Sequence, residues 1–411
     1  MKALVVAGGL PQIVLINELK KRGIETVLID GNPSPLARPY ADQFYQINVF
    51  DMEGVKEIAV KEKVDFLITV CADQILLVVA KISEELGLPC YVDYETAKLV
   101  SDKKLMKKRF IERGIPTTRF VIMESFDASL AKDLQYPLIV KPVDAYSSKG
   151  VRKVMNAGEL QRAFEEAKAI SRAKNVIVEE FFEGEEISVD LFVKNGKAEI
   201  LCLSNSDKVK DEDHFVIFRG RCPVHASETL KKKVREVCQQ IADAFTLKNS
   251  PMLVQMLTDG ERISVLEFCA RTGGAMKWLL IKYASDVDVI PAVIDLTLGK
   301  EAMIDVKSPK HAFIVNDFIY CREGIYDHLE GFEEQLRLGN ITDYHCLRPI
   351  KTKFSGHVLS STDRIAGVTI QADSLEELNL KQAAFVQGVR VIDENGRDMM
   401  RHDLFPDLKE S

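Results

Sequence analysis

The stretch VLEFCARTGG, Val265 to Gly274, decides how this chain is read. An apolar run delivers one carboxylate, Glu267, then Arg271 four positions later, with the pair Gly273-Gly274 closing the segment. As a strand and its extension, it would alternate Ile263, Val265, Glu267, Cys269 and Arg271 onto one face. A carboxylate and a guanidinium aimed into one space suit a metal-bound polyphosphate: the acid holds Mg²⁺ and the arginine neutralises phosphate oxygens. The glycines let a ligand or another backbone approach closely. Taken alone, the segment reads equally well as a surface salt bridge at a strand end, so the residues upstream carry the decision.

Working back, Asp259-Gly260 is a hairpin signal joining strands Leu253–Leu257 and Ile263–Cys269, which brings Gln255 and Glu267 close across strands. Further upstream, VIVEEFFEGEEIS runs from an apolar strand into an acidic turn. Backbone groups at Glu179 and Glu180 can meet an adenine edge, Phe181 and Phe182 can pack on it, and Glu186 can accept from ribose hydroxyls. LIVKPVDAYSSKGV places Lys141 at the end of an apolar strand, before a loop containing Ser147, Ser148, Lys149 and Gly150. A lysine on a rigid strand beside a small-residue loop can hold phosphates while the loop folds over them. Ser101-Asp102-Lys103 opens a helix reaching Arg113 and sets an ammonium near a helix N-terminus, which suits an anion. Each piece has a plainer reading: Lys141 as a solvated strand-end lysine, Glu179-Glu180 as a solvated charge pair, Phe181-Phe182 as core. In this order, they point together to an ATP site between two α+β halves.

The bulk properties are compatible with that site. A chain of 411 residues exceeds one typical core, so two to four domains are expected. Hydrophobic content of 46% and charged content of 28% are those of an ordinary globular protein. A net charge of -7 implies no general attraction to nucleic acid or an anionic membrane. The cysteines at 71, 90, 202, 222, 238, 269, 321 and 346 form no C-x-x-C pair that would suggest zinc or a redox centre. No signal peptide or membrane span is expected, which predicts a cytoplasmic protein with reduced thiols.

The first hundred residues alternate strands (Ala3–Ala7, Glu25–Asp30, Phe44–Val49, Phe66–Val70, Cys90–Val92) with helices (Gln12–Arg22, Val55–Lys63, Gln74–Leu86), predicting a small parallel sheet. Ala7-Gly8-Gly9-Leu10 is not G-x-G-x-x-G, so a nicotinamide site is disfavoured there, and Asp30 reads better as a turn cap than as a ribose ligand. The last hundred residues look like a separate α+β module.

Together these motifs resemble the ATP-grasp superfamily. The resemblance is carried by helix-opening Asp102-Lys103, strand lysine Lys141 before its loop, the E-E-F-F-x-G-E-E hinge, and the E-x-x-x-R-x-G-G ending. GIYDHLEGFEE and TDRIAGVTIQADSLEEL resemble the closing module of the biotin carboxylase, carbamoyl phosphate synthetase-like and L-amino-acid ligase branch. The implied architecture is an α/β pre-ATP-grasp layer at 1–100, an α+β ATP-grasp domain at 101–305 with a lid at about 116–183, and an α+β C-terminal module at 306–411. The resemblance implies phosphate contacts from Lys103, Lys141, Ser147 and Ser148. It assigns adenine-binding hinge positions to Glu179, Glu180 and Phe182, and ribose binding to Glu186. Glu267 and Gln255 become Mg²⁺ positions, and Arg271 with Lys141 the catalytic cations. Gln255 stands where ligase members often carry an acid, and Cys269 replaces the usual asparagine ligand; sulfur is a poor donor to hard Mg²⁺.

The implied activity is carboxylate activation by ATP, giving an acylphosphate that an amine opens. Phosphoribosylglycinamide synthetase-like or carbamoyl phosphate synthetase-like chemistry, or a catalytically weak ATP-binding regulator, are the alternatives. Substrates would be a small carboxylate and an amine, with a homodimer possible by analogy. Phe218-Arg219-Gly220-Arg221 offers two arginines that could seat a substrate carboxylate bidentately, with Gly273 and Gly274 nearby; exposed strand arginines are the plainer reading. His214 and His225 read as surface residues rather than acid–base catalysts.

Overall fold

Residues 1–145, 149–209, 215–274, 276–358 and 360–405 are described by the computed structural model. Short apolar strands separated by amphipathic helices build the N-terminal layer: β1 (Lys2–Val6), α1 (Leu10–Lys21), β2 (Glu25–Asp30), β3 (Gln43–Gln46), α2 (Met52–Glu62), β4 (Phe66–Ile68) and α3 (Asp73–Leu86). The strands are all parallel, in the order β3-β2-β1-β4, so the direction of winding reverses beside β1. Ligands of such sheets sit outside the carboxyl ends of the strands at that reversal. Asp30 fixes the crevice there by accepting from Gly8 N at 2.7 Å and Asn32 N at 2.7 Å, as a turn cap should. The strand expected at Cys90–Val92 is absent. Asp93 accepts from Thr96 N and starts α4 (Tyr94–Ser101), leaving too few residues to pair. Asp102 then caps α5 (Lys103–Arg113), accepting from the Lys104 and Leu105 amides, and Gly114 ends it at φ 66°.

β5 (Phe120–Met123), β6 (Leu138–Pro142), β7 (Arg152–Val154), α6 (Ala157–Ile170) and β8 (Val176–Glu180) form an antiparallel sheet, order β5-β8-β6-β7, covered by one helix. Its apolar residues, including Leu138, Val140, Phe164 and Val178, make a cluster of their own. This unit therefore holds together by its own burial.

The remaining strands are β9 (Glu185–Lys194), β10 (Lys197–Lys208), β11 (Ile217–Cys222), β12 (Ser250–Thr258), β13 (Ile263–Cys269), β14 (Phe313–Tyr320), β15 (Glu323–Glu330), β16 (Asp343–Cys346), β17 (Lys353–Ser355), β18 (Arg364–Ala372) and β19 (Arg390–Asp393). Helices α7 (Glu228–Ala244), α8 (Lys277–Ser285) and α9 (Val289–Thr297) lie among them. Eight of these strands form one sheet, β13-β12-β9-β10-β11-β14-β18-β16, and β17-β15-β19 form a second. The C-terminal hundred residues are thus α+β, but not separate as the sequence suggested. β14 pairs with β11, Gly220 against Asn316, so the boundary drawn at 306 falls inside a continuous sheet. One core cluster runs from Ala3 and Val5 through α8 and α9 to Phe385 and Phe405.

One face of β9, β12 and β13 packs Val189, Val254, Val265 and Phe268 against α5 and α7. The opposite face mixes Glu186, Ser188, Gln255 and Glu267 with Leu253 and Leu257. Among the described residues no helix is long and apolar enough to cross a membrane.

Candidate active site

Strict alternation along 263–271 does not hold. Gln255 of β12 pairs with Glu267, and the next residue, Met256, pairs with Val265, so Leu266 is an extra residue in β13. This bulge keeps Val265 in the apolar core and turns Glu267 to the opposite face, which corrects the expectation that both share one side. Glu186 and Ser188 on β9, with Leu253, Gln255 and Leu257 on β12, line that face by their period of two.

A cavity of about 790 Å³ opens over it, roofed by the β5-β8-β6-β7 sheet and closed by the N-terminal strand ends and α8. Lys103, Lys141, Glu179, Glu180, Phe182 and Glu186 all line it. So do Gln255, Glu267, Arg271 and Gly274, which brings the sequence-derived groups to one space. Ser147 and Ser148 lie outside the described residues, as does His214. Arg219 and Arg221 are not among the lining residues, contrary to the substrate role expected of them. Arg219 forms a bidentate pair with the fully buried Asp317, and Arg221 donates to Asp207 at 2.7 and 3.0 Å, so both guanidinium groups join strands together. Gly273 also lies behind the lining.

On β8, Glu179 is 2% exposed and receives Lys141 Nζ at 2.5 Å, Lys107 Nζ at 3.0 Å and Thr118 Oγ1 at 3.3 Å. Burial acts to raise its carboxyl, but the two ammonium groups outweigh it and hold the group at about 2. Burial prevails on Lys107, whose pKa falls, because Lys141 shares its one carboxylate. Two cations against one anion leave the triad a net positive charge facing the cavity. Glu179 is thus an internal counter-ion by its side chain, and its backbone is paired in the sheet opposite Phe120 and Ile139. The Glu180 carboxylate is likewise engaged, by Arg119 at 3.1 Å and Gln135 N at 2.9 Å.

On the sheet, Glu186 accepts from Lys208 Nζ at 2.6 Å and Gln255 Nε2 at 2.8 Å. Glu267 meets Lys103 Nζ at 2.9 Å, and Lys103 also donates to the Ala145 carbonyl at 2.8 Å, bridging α5, β13 and the segment after β6. Burial pushes Glu267 up and Lys103 down, but their mutual attraction reverses both shifts. Arg271 is 9% exposed and donates from Nε to Asp73 Oδ1 at 2.6 Å, from Nη2 to Asp73 Oδ2, and from Nη1 to the Thr272 carbonyl at 2.8 Å. A guanidinium has five N–H groups, so two remain beyond these partners. Asp73 thus aims Arg271 from the N-terminal layer; despite its burial, the arginine depresses its pKa.

Among the described residues no three His, Cys, Asp or Glu side chains gather into a metal cage. Mg²⁺ is usually held by one or two carboxylates with phosphate and water oxygens. Glu267, beside Gln255 whose amide oxygen remains an acceptor, fits that sparse donor set.

Sequence reasoning missed Asp73 and Lys277, which line the cavity, and Lys107 and Asp190, which form ion pairs behind its wall. Lys107 stands one helical turn after Lys103, a spacing that puts both on one face of α5. Asp190 is the one charged residue within ISVDLFV, which also marks it.

The chain is similar to known proteins in sequence and in fold. The ATP-grasp N-terminal domain family matches residues 17–90, and the ATP-grasp domain family residues 134–278. A formate-dependent phosphoribosylglycinamide formyltransferase of Nitratiruptor is 28% identical over 232 residues, covering 56% of this chain and 59% of that protein. The match thus spans about three-fifths of that relative's length. A 3-methyl-D-ornithine–L-lysine ligase of Methanosarcina barkeri is 25% identical over 80% of each chain. The L-amino acid ligase structure from Bacillus licheniformis shares the fold, with TM-score 0.79 and 18% identity over 96% of this chain and 99% of that one. With the two domain families in sequence and the same fold over nearly its whole length, the chain belongs to the ATP-grasp superfamily.

Proposed function

We propose that the protein is an ATP-dependent carboxylate–amine ligase that forms ADP and phosphate. The observation that carries this reading is the convergence of Lys103, Lys141, Glu267 and Arg271 on one cavity of about 790 Å³, ample for a nucleotide and a small substrate. In the proposed reaction a substrate carboxylate oxygen attacks the γ-phosphorus of ATP, and ADP leaves. The amine then attacks the acyl carbon, phosphate departs, and the nitrogen loses a proton. Lys141, in the triad of net positive charge, and Lys103 hold phosphates in this reading. The hinge backbone from Glu179 to Phe182 faces adenine, and Glu186 faces the ribose. The two unused N–H groups of Arg271 steady the reacting carboxylate and the phosphoryl oxygens. Glu267 and Gln255 would hold Mg²⁺, which would supply positive charge to offset the phosphates. Positioning and charge stabilisation suffice, without a side-chain nucleophile.

Cys269 supplies no metal ligand in this proposal. Its Sγ lies 3.9 Å from the Leu253 carbonyl, and burial pushes the thiol far above its ordinary value, whereas a metal needs the thiolate. The domain division at about 100 and the lid at 116–183 are retained, supported by the lid's own apolar cluster. A second reading, in which the amine substrate carries a phosphate, is favoured by Arg348 and Arg364 on the far cavity wall. Phosphate release from Mg·ATP across a panel of amino acids and amines tests the activity. A preserved rate in folded Lys141→Ala or Arg271→Ala removes those residues from their roles.

A further inference from the structure

One polar cluster of the cavity has no task in phosphoryl transfer. α8 starts at Lys277, and its first turn has no acidic residue and no side-chain cap. Lys277 is 8% exposed and lines the cavity, next to Trp278. Its Nζ donates to Ser204 Oγ at 2.6 Å and lies 3.5 Å from Asp190 Oδ2. Asp190 is 1% exposed, and neither of its carboxylate oxygens has a hydrogen-bond partner among the described residues. A carboxylate buried so sparsely costs stability, so packing alone does not account for it. Gly273 is shaped to this pair: a Cβ there would stand 2.8 Å from Asp190 Oδ1 and 2.8 Å from Lys277 Cγ. The glycine thus makes room for a seated lysine.

An ammonium has three donors. Ser204 takes one of them, Asp190 stands beside it as an ion pair at 3.5 Å, and the lysine lines the cavity. Resting on the ligase reading above, we propose that Lys277 selects an acidic group on the non-nucleotide substrate. That substrate is a small molecule bearing a carboxylate or phosphate besides the group that reacts, and Asp190 is a positioning residue. The role expected of Arg219 and Arg221 thereby passes to a lysine on the cavity wall.

The test is calorimetric titration of the full chain, loaded with Mg²⁺ and a non-hydrolysable ATP analogue. The probes are L-glutamate against L-glutamine, L-aspartate against L-asparagine, O-phospho-L-serine against L-serine, and ribose 5-phosphate against ribose. At least one charged probe should bind about 30-fold or more tightly than its neutral counterpart, the margin of a desolvated charge pair. Lys277→Met should erase that margin while analogue affinity stays within about twofold, and Lys277→Arg should restore much of it. The carboxylate and phosphate arms separate the two sources of the charge. No preference for any charged probe, or a margin that survives Lys277→Met, overturns the proposal. Should Lys277→Met not fold, Ser204→Ala must shrink the same margin, and an unchanged margin there overturns it equally. A wild-type chain that fails to bind the analogue at all would instead overturn the ligase reading.

Discussion

Replacing Glu179 by glutamine separates two roles for the hinge acid. The substitution keeps the shape of the side chain and removes the one negative charge between Lys107 and Lys141. Breaking a buried pair by deleting one partner typically costs about 3–5 kcal/mol, and a glutamine that still accepts one hydrogen bond belongs at the lower end. The carboxyl itself gives a similar figure. Held at about 2 in the fold, against about 4.3 in an unfolded chain, it contributes on the order of 3 kcal/mol. Because the folded value is the depressed one, that stability is fully present above the unfolded value and is lost as pH falls from about 4.3 toward 2. The loss should be local to the lid, so amide hydrogen exchange across β5–β8 is the assay. Glu179→Gln should speed exchange there roughly 100-fold, and adding Lys107→Met should recover at least half of the free energy. Saturating ATP should restore part of the protection, since its phosphates supply the missing negative charge. A lid whose exchange changes less than about fivefold while ATP affinity collapses would refute the counter-ion account and make the carboxylate a direct adenine ligand.

Arg271→Ala should lower turnover about 100- to 1,000-fold with ATP affinity little changed, as steady-state kinetics beside equilibrium binding will show. Gly184→Ala sets a Cβ 2.4 Å from the Thr258 carbonyl oxygen, so an overpacking loss of about 1–3 kcal/mol is expected in urea unfolding; an unshifted midpoint contradicts it. Chelation of Mg²⁺ should abolish phosphate release. Cys269→Asn, which restores an oxygen donor beside Glu267, should lower the Mg²⁺ concentration for half-maximal activity several-fold, whereas Cys269→Ser should leave it nearly unchanged.

The sequence was most legible where backbone chemistry acts locally. The hairpin at Asp259-Gly260, the cap at Asp102 and the strands Leu138–Pro142 and Ile263–Cys269 lie where turn residues and apolar runs predict them. What escaped was set by partners far away in the chain. The bulge at Leu266 has no signature of its own; it exists because β12 and β13 must put Val265 in the core and Glu267 in the cavity together. Arg219 looked like a substrate ligand because its counter-ion, Asp317, lies 98 positions later. Glu179 looked solvated because its cations come from another helix and another strand. The C-terminal strands looked independent because nothing in their own pattern tells which edge they join.

That joining sets a timetable for biogenesis. Until Phe313–Tyr320 has left the ribosome, β11 presents an unpaired edge, and the arginine that will meet Asp317 waits for a residue 98 positions downstream. At roughly 5–20 residues per second, that edge stays open for about 5–20 s. Over that interval an incomplete polypeptide carries a long template for intermolecular pairing. Nascent chains halted between about 222 and 313 should therefore be the species most dependent on chaperones.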